Sequence, residues 1–249
     1  MSEVNVTAID RVIDIFEAFQ ARQQPLSLTE LAEAVNIPKS TCHAIVSTLI
    51  SRGYLYTRSR PRALYPTRRM HDVMIDISAN DPFIKYAIPI LERLRDATRE
   101  TVILGKRQGD SVIYLQVIEG LHSIRYTAKS GAFKPLHSSS IGKALLGSLK
   151  EPELRAWLDE RSLPSITRAT LTGHEDLIQD IQVSRKRGYF LTRGENVIDV
   201  WAVATLINVH GETFAVAVAG PQHRLESNIE EIARLLIASC SFLSRQVGS

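Results

Sequence analysis

Between Glu33 and Asp72 the chain carries seven Lys or Arg residues and not one acid, although its net charge over 249 residues is only +3. Such a block constrains what it can fold into, because its helices lack the Glu–Lys pairs that ordinarily decorate a solvated surface. Pro38 closes a turn after "SLTELAEAVNIP", a short helix opened by Ser27 or by Leu28–Thr29, with Leu31, Ala32 and Val35 as its apolar stripe. "KSTCHAIVSTLISRG" follows as a second helix, with Cys42, Ile45, Val46, Leu49 and Ile50 on one face and Gly53 as the stop. Upstream, "TAIDRVIDIFEAFQAR" places Ile9, Val12, Ile13, Phe16 and Phe19 at helical spacing, with Thr7 as the N-cap, and Pro25 then breaks the chain.

The other face of the second helix offers Lys39, Ser40, Thr41, His43, Ala44, Ser47 and Thr48, all small or hydrogen-bonding. A helix entering a DNA major groove, about 12 Å wide, needs short side chains for close approach and donors near its N-terminus. A carboxylate there would be repelled by phosphate, which accounts for the missing acids. After Gly53, "YLYTRSRPRALYPT" alternates apolar and polar residues about Pro61, as a β-hairpin does, and its tip carries Arg58, Arg60 and Arg62. A solvated basic loop on a three-helix domain is the plainer alternative, but it leaves the order of turn, bare polar face and arginine-tipped hairpin unexplained. The pattern predicts a winged helix-turn-helix over residues 1–68, with the helix-turn-helix motif at about 28–47. Its partner would be double-stranded DNA, touched by Ser27, Lys39, Ser40, Thr41, His43, Ala44, Ser47, Arg58, Arg60 and Arg62.

The remaining chain is read more coarsely. A hydrophobic content of 44% with 23% charged residues excludes disorder. No apolar run approaches the ~18–20 residues of a membrane helix, and the acidic, amphipathic N-terminus lacks the features of a signal peptide. A cytoplasmic protein without membrane partners is expected, with Cys42 and Cys240 as buried free thiols. Residues 69–82 read as a linker helix on which Met70, Val73, Met74 and Ile77 are apolar. Within 83–249, a helix over Lys85–Arg99 precedes short strands at "TVILGKRQG", "DSVIYLQVIEG" and "HSIRYTAKSG". A further pair, "WAVATLINVHG" and "TFAVAVAGP", precedes a long C-terminal helix. Strands bracketed by helices predict an α+β domain with one antiparallel sheet.

These residues resemble the IclR-type family of bacterial transcriptional regulators. "IPKSTCHAIVSTLISRGYL" is similar to that family's recognition helix and wing entry, "SGAFKPLHSSSIGKALL" to its effector-domain signature, "SRKRGYFLTRGENV" to a later region and "VAVAGP" to its closing strand. The resemblance runs from about Thr7 to Val247. It implies a winged-helix domain joined by a helix to a GAF-like effector-binding domain, working as a homodimer or homotetramer on a palindromic operator. It also implies a small-molecule effector and no cofactor, with repression of a catabolic operon as the default and activation as the alternative.

In "PLHSSSIGKALL", Ser138–Ser140 precede an apolar helix, so free backbone N–H groups and the helix dipole converge on one point. Alone, that is an anion site or an ordinary serine cap. With the resemblance, Leu136, Ser139, Ser140, Ile141 and Gly142 become candidates to hold a ligand carboxylate, joined by Arg193, Glu195, Asp199, Trp201, Ala202 and Ala219. The chain departs from the family here. Thr192 and Arg193 replace frequent acids, leaving Glu195 to match, while Asp199, Ala202 and Ala219 replace a glycine, a cysteine or serine, and a serine. With hydroxyl partners lost beside Trp201, the ligand is expected to have an apolar or aromatic body and a polar end. Catalysis has little support. Ser140 and Lys143 match a Ser-x-x-Lys spacing without its usual companion motifs, His137 beside Ser138 lacks a third triad member, and the seven histidines show no metal-ligand spacing. An architectural DNA protein is also disfavoured, since it would need no sensory domain.

Overall fold

The computed structural model describes residues 8–59 and 62–247, and the chain divides between Asp81 and Pro82 into two compact units. The expected cap Thr7 and the wing residues Arg60 and Pro61 lie outside the described residues.

The first unit begins with α1 (Ala8–Arg22), α2 (Leu28–Ala34) and α3 (Lys39–Ser51), continues into the hairpin β1 (Leu55–Ser59) and β2 (Arg62–Pro66), and ends with α4 (Arg69–Ala79). Ser27 caps α2 in a reciprocal box, its hydroxyl accepting from the Glu30 amide while the Glu30 carboxylate accepts from the Ser27 amide. Asn36 takes a positive φ of 50° in the α2–α3 turn, a conformation its short polar side chain tolerates. Cys42, Val46 and Leu49 of α3 pack against Ile15, Phe19, Leu31, Leu55 and Leu64. The hairpin is joined to that core by backbone bonds between Leu26 and Leu64, and Thr67 donates its hydroxyl to the Gly53 carbonyl.

Two expected faces are corrected. On α1 the fully buried residue is Ile15, whereas Ile9 and Ile13 are 71% and 51% exposed. On α3, Ile50 is exposed instead of joining the core.

The second unit contains α5 (Pro82–Thr98), β3 (Thr101–Gln108), β4 (Ser111–Ile118), β5 (Phe133–Pro135), α6 (Ser140–Gly147), α7 (Glu151–Asp159) and α8 (His174–Arg187). Then come β6 (Phe190–Arg193), β7 (Val200–Val209), β8 (Glu212–Pro221), α9 (Gln222–Leu225) and α10 (Ile229–Val247). The strands form one six-stranded antiparallel sheet in the order β5-β4-β3-β8-β7-β6, as an α+β domain requires. One face buries Val102, Leu104, Val203, Val216 and Val218 beneath Leu91 and Leu94 of α5 and Leu236 of α10. The other buries Ile103, Ala204, Ala215, Ala217 and Ala219 beneath Ile141 of α6, Leu154 of α7 and Ile181 of α8.

The helix expected over 69–82 stops at Ala79, and Pro82 opens the next one, ahead of the expected Lys85. The expected strand at 122–131 does not form, and the ladder resumes only at β5. Side chains satisfy this segment's backbone instead: Thr101 donates its hydroxyl to the Tyr126 carbonyl, and Arg224 donates to that of Ile124.

Candidate functional site

The first candidate site is the exposed face of α3 with the hairpin beside it. Lys39, Ser40, His43, Ala44 and Ser47 are exposed, and Thr41 is half-buried. Pro38 at the N-cap supplies no side-chain acceptor, so the first amides of the helix keep the positive dipole end open to an anion. Thr48, on the same face, turns its hydroxyl back to the Ala44 carbonyl. Arg58 and Arg62 are exposed and flank the described part of the hairpin tip. Between helix and hairpin runs a groove of about 430 Å³ whose walls include Ser27, Thr29, His43, Ser47, Thr57 and Arg62. Ser27 reaches this groove with its hydroxyl already engaged in the α2 cap. No described acid from this face lines the groove.

The second candidate site lies on the α6 face of the sheet. Ser139 caps α6, accepting from the Gly142 amide at 3.1 Å and donating to the Pro135 carbonyl at 2.7 Å. Its hydroxyl is therefore spent on the helix, and the donors left for a ligand are backbone N–H groups at the helix start. Ser139 and Ser140 line a cavity of about 30 Å³ with Ile103, Tyr114, Tyr126, Asn196, Val197, Val200, Ala202, Ala217 and Ala219. That volume holds little more than a water molecule. The floor is flat and apolar, since Ala202 pairs with Ala219 across β7 and β8 and Ile103 pairs with Ala217 across β3 and β8. Tyr114 is buried and hydrogen-bonded to Tyr126, and burial pushes its phenol well above the ordinary range. Directly outside, a groove of about 800 Å³ shares Tyr126, Val197 and Val200 with the cavity and adds Arg125, Asp199 and His223.

The structure separates the expected residues into groups. Ser139, Ser140, Ala202 and Ala219 face the cavity. Leu136 and Ile141 are buried behind it, and Gly142 packs so closely on Leu136 that a Cβ there would overlap the Leu136 backbone. Asp199 belongs to the outer groove. Arg193 and Trp201, paired across β6 and β7, lie on the opposite face of the sheet, where the guanidinium sits 5.4 Å from the indole centre. The indole and guanidinium expected in the pocket are therefore not there.

Glu195 is buried but turns away from the cavity, its carboxylate 2.6 Å from the ammonium of Lys143. Lys143 is fully buried and also donates to Asp180 at 2.9 Å. Held between two carboxylates, this lysine is not placed to serve Ser140 as a base. Sequence reasoning missed Ile103, Tyr114, Tyr126, Asn196, Val197, Val200 and Ala217. The signal available for the strand residues was parity, since they fall on the face that Ala202 and Ala219 share.

Among the described residues no group of three or more His, Cys, Asp or Glu could hold a metal ion, and no helix is long and apolar enough to cross a membrane. Cys42 and Cys240 are buried and unpaired, and burial pushes the Cys240 thiol up to about 12.

Comparison with known proteins gives consistent findings. Residues 8–59 match the IclR helix-turn-helix domain, and residues 78–245 match the bacterial transcriptional regulator IclR C-terminal domain. The chain is 33% identical to the HTH-type transcriptional regulator BhcR of Paracoccus denitrificans over 224 residues, covering 88% of this chain and 79% of that protein. It is 28% identical to the transcriptional repressor IclR of Escherichia coli, covering 98% of this chain and 90% of that one. An IclR homolog from Microbacterium hydrocarbonoxydans, solved in complex with 4-hydroxybenzoate, shares the fold with a TM-score of 0.78 at 20% identity, covering 97% of this chain and 98% of that one.

Proposed function

Since the chain belongs to the IclR family of DNA-binding transcriptional regulators, we propose that it is a ligand-responsive repressor whose operator affinity is set by a small aromatic acid. The proposal places Lys39, Ser40, Thr41, His43, Ala44 and Ser47 of α3 in the major groove, with Ser27 beside them. Arg58, Arg60 and Arg62 hold the adjacent phosphates. Two such modules in a homodimer, or a homotetramer built from dimers, would read a palindromic operator, and the protein would work in the cytoplasm where that DNA lies. The observation that carries this part is the acid-free, exposed face of α3 with its uncapped N-terminus.

The ligand class follows from the cavity. A carboxylate suits the amides at the start of α6, and a planar ring suits the floor of Ala202, Ala217 and Ala219 facing Tyr114 and Tyr126. The β7–β8 floor offers no sulfur or hydroxyl to a two- or three-carbon acid, because Ala202 and Ala219 stand there. Small-molecule sites generally occupy about 300–1,000 Å³. A ring therefore enters only if the wall shared with the outer groove moves, merging the two spaces. The 4-hydroxybenzoate held by the Microbacterium homolog supports this class, and the E. coli relative's designation as a repressor supports the sign.

Two experiments test the reading. Ser47→Glu, on an exposed position of α3, should leave the melting temperature unchanged and abolish binding to duplexes that the parent chain selects from random-sequence DNA. Retained binding would remove α3 from the interface. In calorimetry, benzoate and 4-hydroxybenzoate should bind more tightly than glyoxylate or pyruvate, and the reverse order would overturn the ligand class.

A further inference from the structure

Among the described residues Lys143 is the largest fully buried side chain, and it ends in an amino group. Burying an ammonium is costly unless partners compensate it, and here two carboxylates from different elements do so. Asp180 comes from α8 and is partly exposed; Glu195 comes from the 194–199 segment after β6 and is nearly enclosed. The two contacts differ in kind. The Asp180 contact, at 2.9 Å, reaches the surface, whereas the 2.6 Å contact with Glu195 Oε2 is enclosed. Burial also holds the Glu195 carboxyl above its ordinary range, against the pull of Lys143. Glu195 is thus the contact that can be given up, with Lys143 remaining paired to Asp180.

The two ends of this contact are the two walls of the cavity. Lys143 lies at the end of the first turn of α6, three residues after Ser140, while Glu195 is followed by Asn196 and Val197. Side-chain hydrogen bonds to residues outside also hold this segment. Asn196 donates to the Ser138 hydroxyl at 3.1 Å, Thr167 donates to the Gly194 carbonyl at 2.7 Å, and Thr170 donates to that of Glu195 at 2.7 Å. Gly194, at φ 72°, lets the segment fold back against Ile198. Val197 itself is 39% exposed and borders both the cavity and the outer groove.

We propose that Lys143 and Glu195 are positioning residues of the effector site: their buried ion pair fixes Asn196 and Val197 as the wall that must move for a ring to enter. Glu195 thereby acts on the ligand without touching it. This rests on the reading of the cavity as the effector site.

The test compares Glu195→Gln with Asp180→Asn in the full chain, since each removes one charge from Lys143. Without ligand, Glu195→Gln should speed amide hydrogen exchange at 194–199 by about tenfold while α8 exchanges as in the parent. Asp180→Asn should do the opposite, loosening α8 and sparing 194–199. Equal acceleration everywhere, or none at 194–199 in Glu195→Gln, overturns the proposal. With 4-hydroxybenzoate as the probe, Glu195→Gln should weaken binding by about tenfold and Asp180→Asn by less than about twofold. Faster exchange with unchanged affinity would leave a staple of the fold only and would also overturn it. If the parent chain does not bind 4-hydroxybenzoate, the ligand class falls, and the exchange pattern alone decides on the wall. Should Glu195→Gln not fold, Glu195→Asp, which keeps the charge but shortens its reach, is read in the same way.

Discussion

A methyl group added at Gly142 would land on the backbone of Leu136, which closes the back of the cavity. Gly142→Ala should therefore lower stability by about 1–3 kcal/mol, the usual range for overpacking a tight site, and urea midpoints would measure it. Lys143 carries a larger stake. Replacing it with Met leaves the Glu195 and Asp180 carboxylates without their shared cation, an expected loss of about 3–5 kcal/mol. His137, one residue from the serine turn, adds a pH dependence. Burial holds its imidazole below the ordinary 6.5, opposed by the bond to the Pro164 carbonyl and aided by nearby Lys143. The unfolded chain takes up this proton before the folded one does, so stability is fully present above 6.5 and is lost as the pH falls below it. Glu195 acts with the opposite sign, costing stability as the pH rises past its ordinary 4.5, but it does so with or without His137. His137→Gln should accordingly lose less stability than the parent between about pH 7 and 5.5. Equal losses would show that His137 titrates as it does in the unfolded chain.

At the scale of elements, α3 and its hairpin were legible because charge, helical period and punctuation all agreed over a short stretch. The arginines of the hairpin tip extend that agreement to a prediction. Arg58→Ala should weaken binding to specific and unrelated DNA by the same factor and lower the salt slope by about one unit. A change in sequence preference instead would place Arg58 at a base edge. Other elements were less legible, for identifiable reasons. Apolar residues surround more than half of α1, so spacing alone could not choose between the stripe with Ile9 and Ile13 and the one through Ile15; packing in the first unit chose the latter. Segment 122–131 has strand-like composition, yet its carbonyls are claimed by Thr101 and Arg224, whose approach depends on folds distant in sequence. Trp201 was placed in the cavity because it adjoins Ala202 in sequence, and Arg193 because it stands where the family often carries an acid. Strand parity sends neighbours to opposite faces, and only the register of β6 on β7 fixes which is which. The cap at Ser139 was readable, whereas Tyr126 and Val197 sit on irregular segments with no period to reveal them.

For the whole molecule the proposed function asks how a ligand held in one unit would change DNA binding by the other. If two chains present two copies of α3, their half-sites should lie about one helical turn apart, or a multiple of it. Inserting about half a turn between the half-sites turns one of them to the far side of the duplex, and a footprint should then shrink to a single half-site. Regulation adds a thermodynamic requirement that holds whatever path connects the units. A ligand can change operator affinity only through unequal affinity for the free and DNA-bound arrangements of the protein. The coupling is then reciprocal: if the ligand weakens operator binding by a given factor, saturating operator must weaken ligand binding by the same factor, typically about 5- to 150-fold. Both factors are measurable on the full chain, one by DNA titration at fixed ligand and the other by ligand titration at fixed DNA. Equal factors would place ligand and operator on one two-state equilibrium, with 194–199 as the wall that differs between its states. A ligand that binds in the cavity with a factor near one in both titrations would instead leave this a constitutive DNA binder that carries its ligand as a passenger.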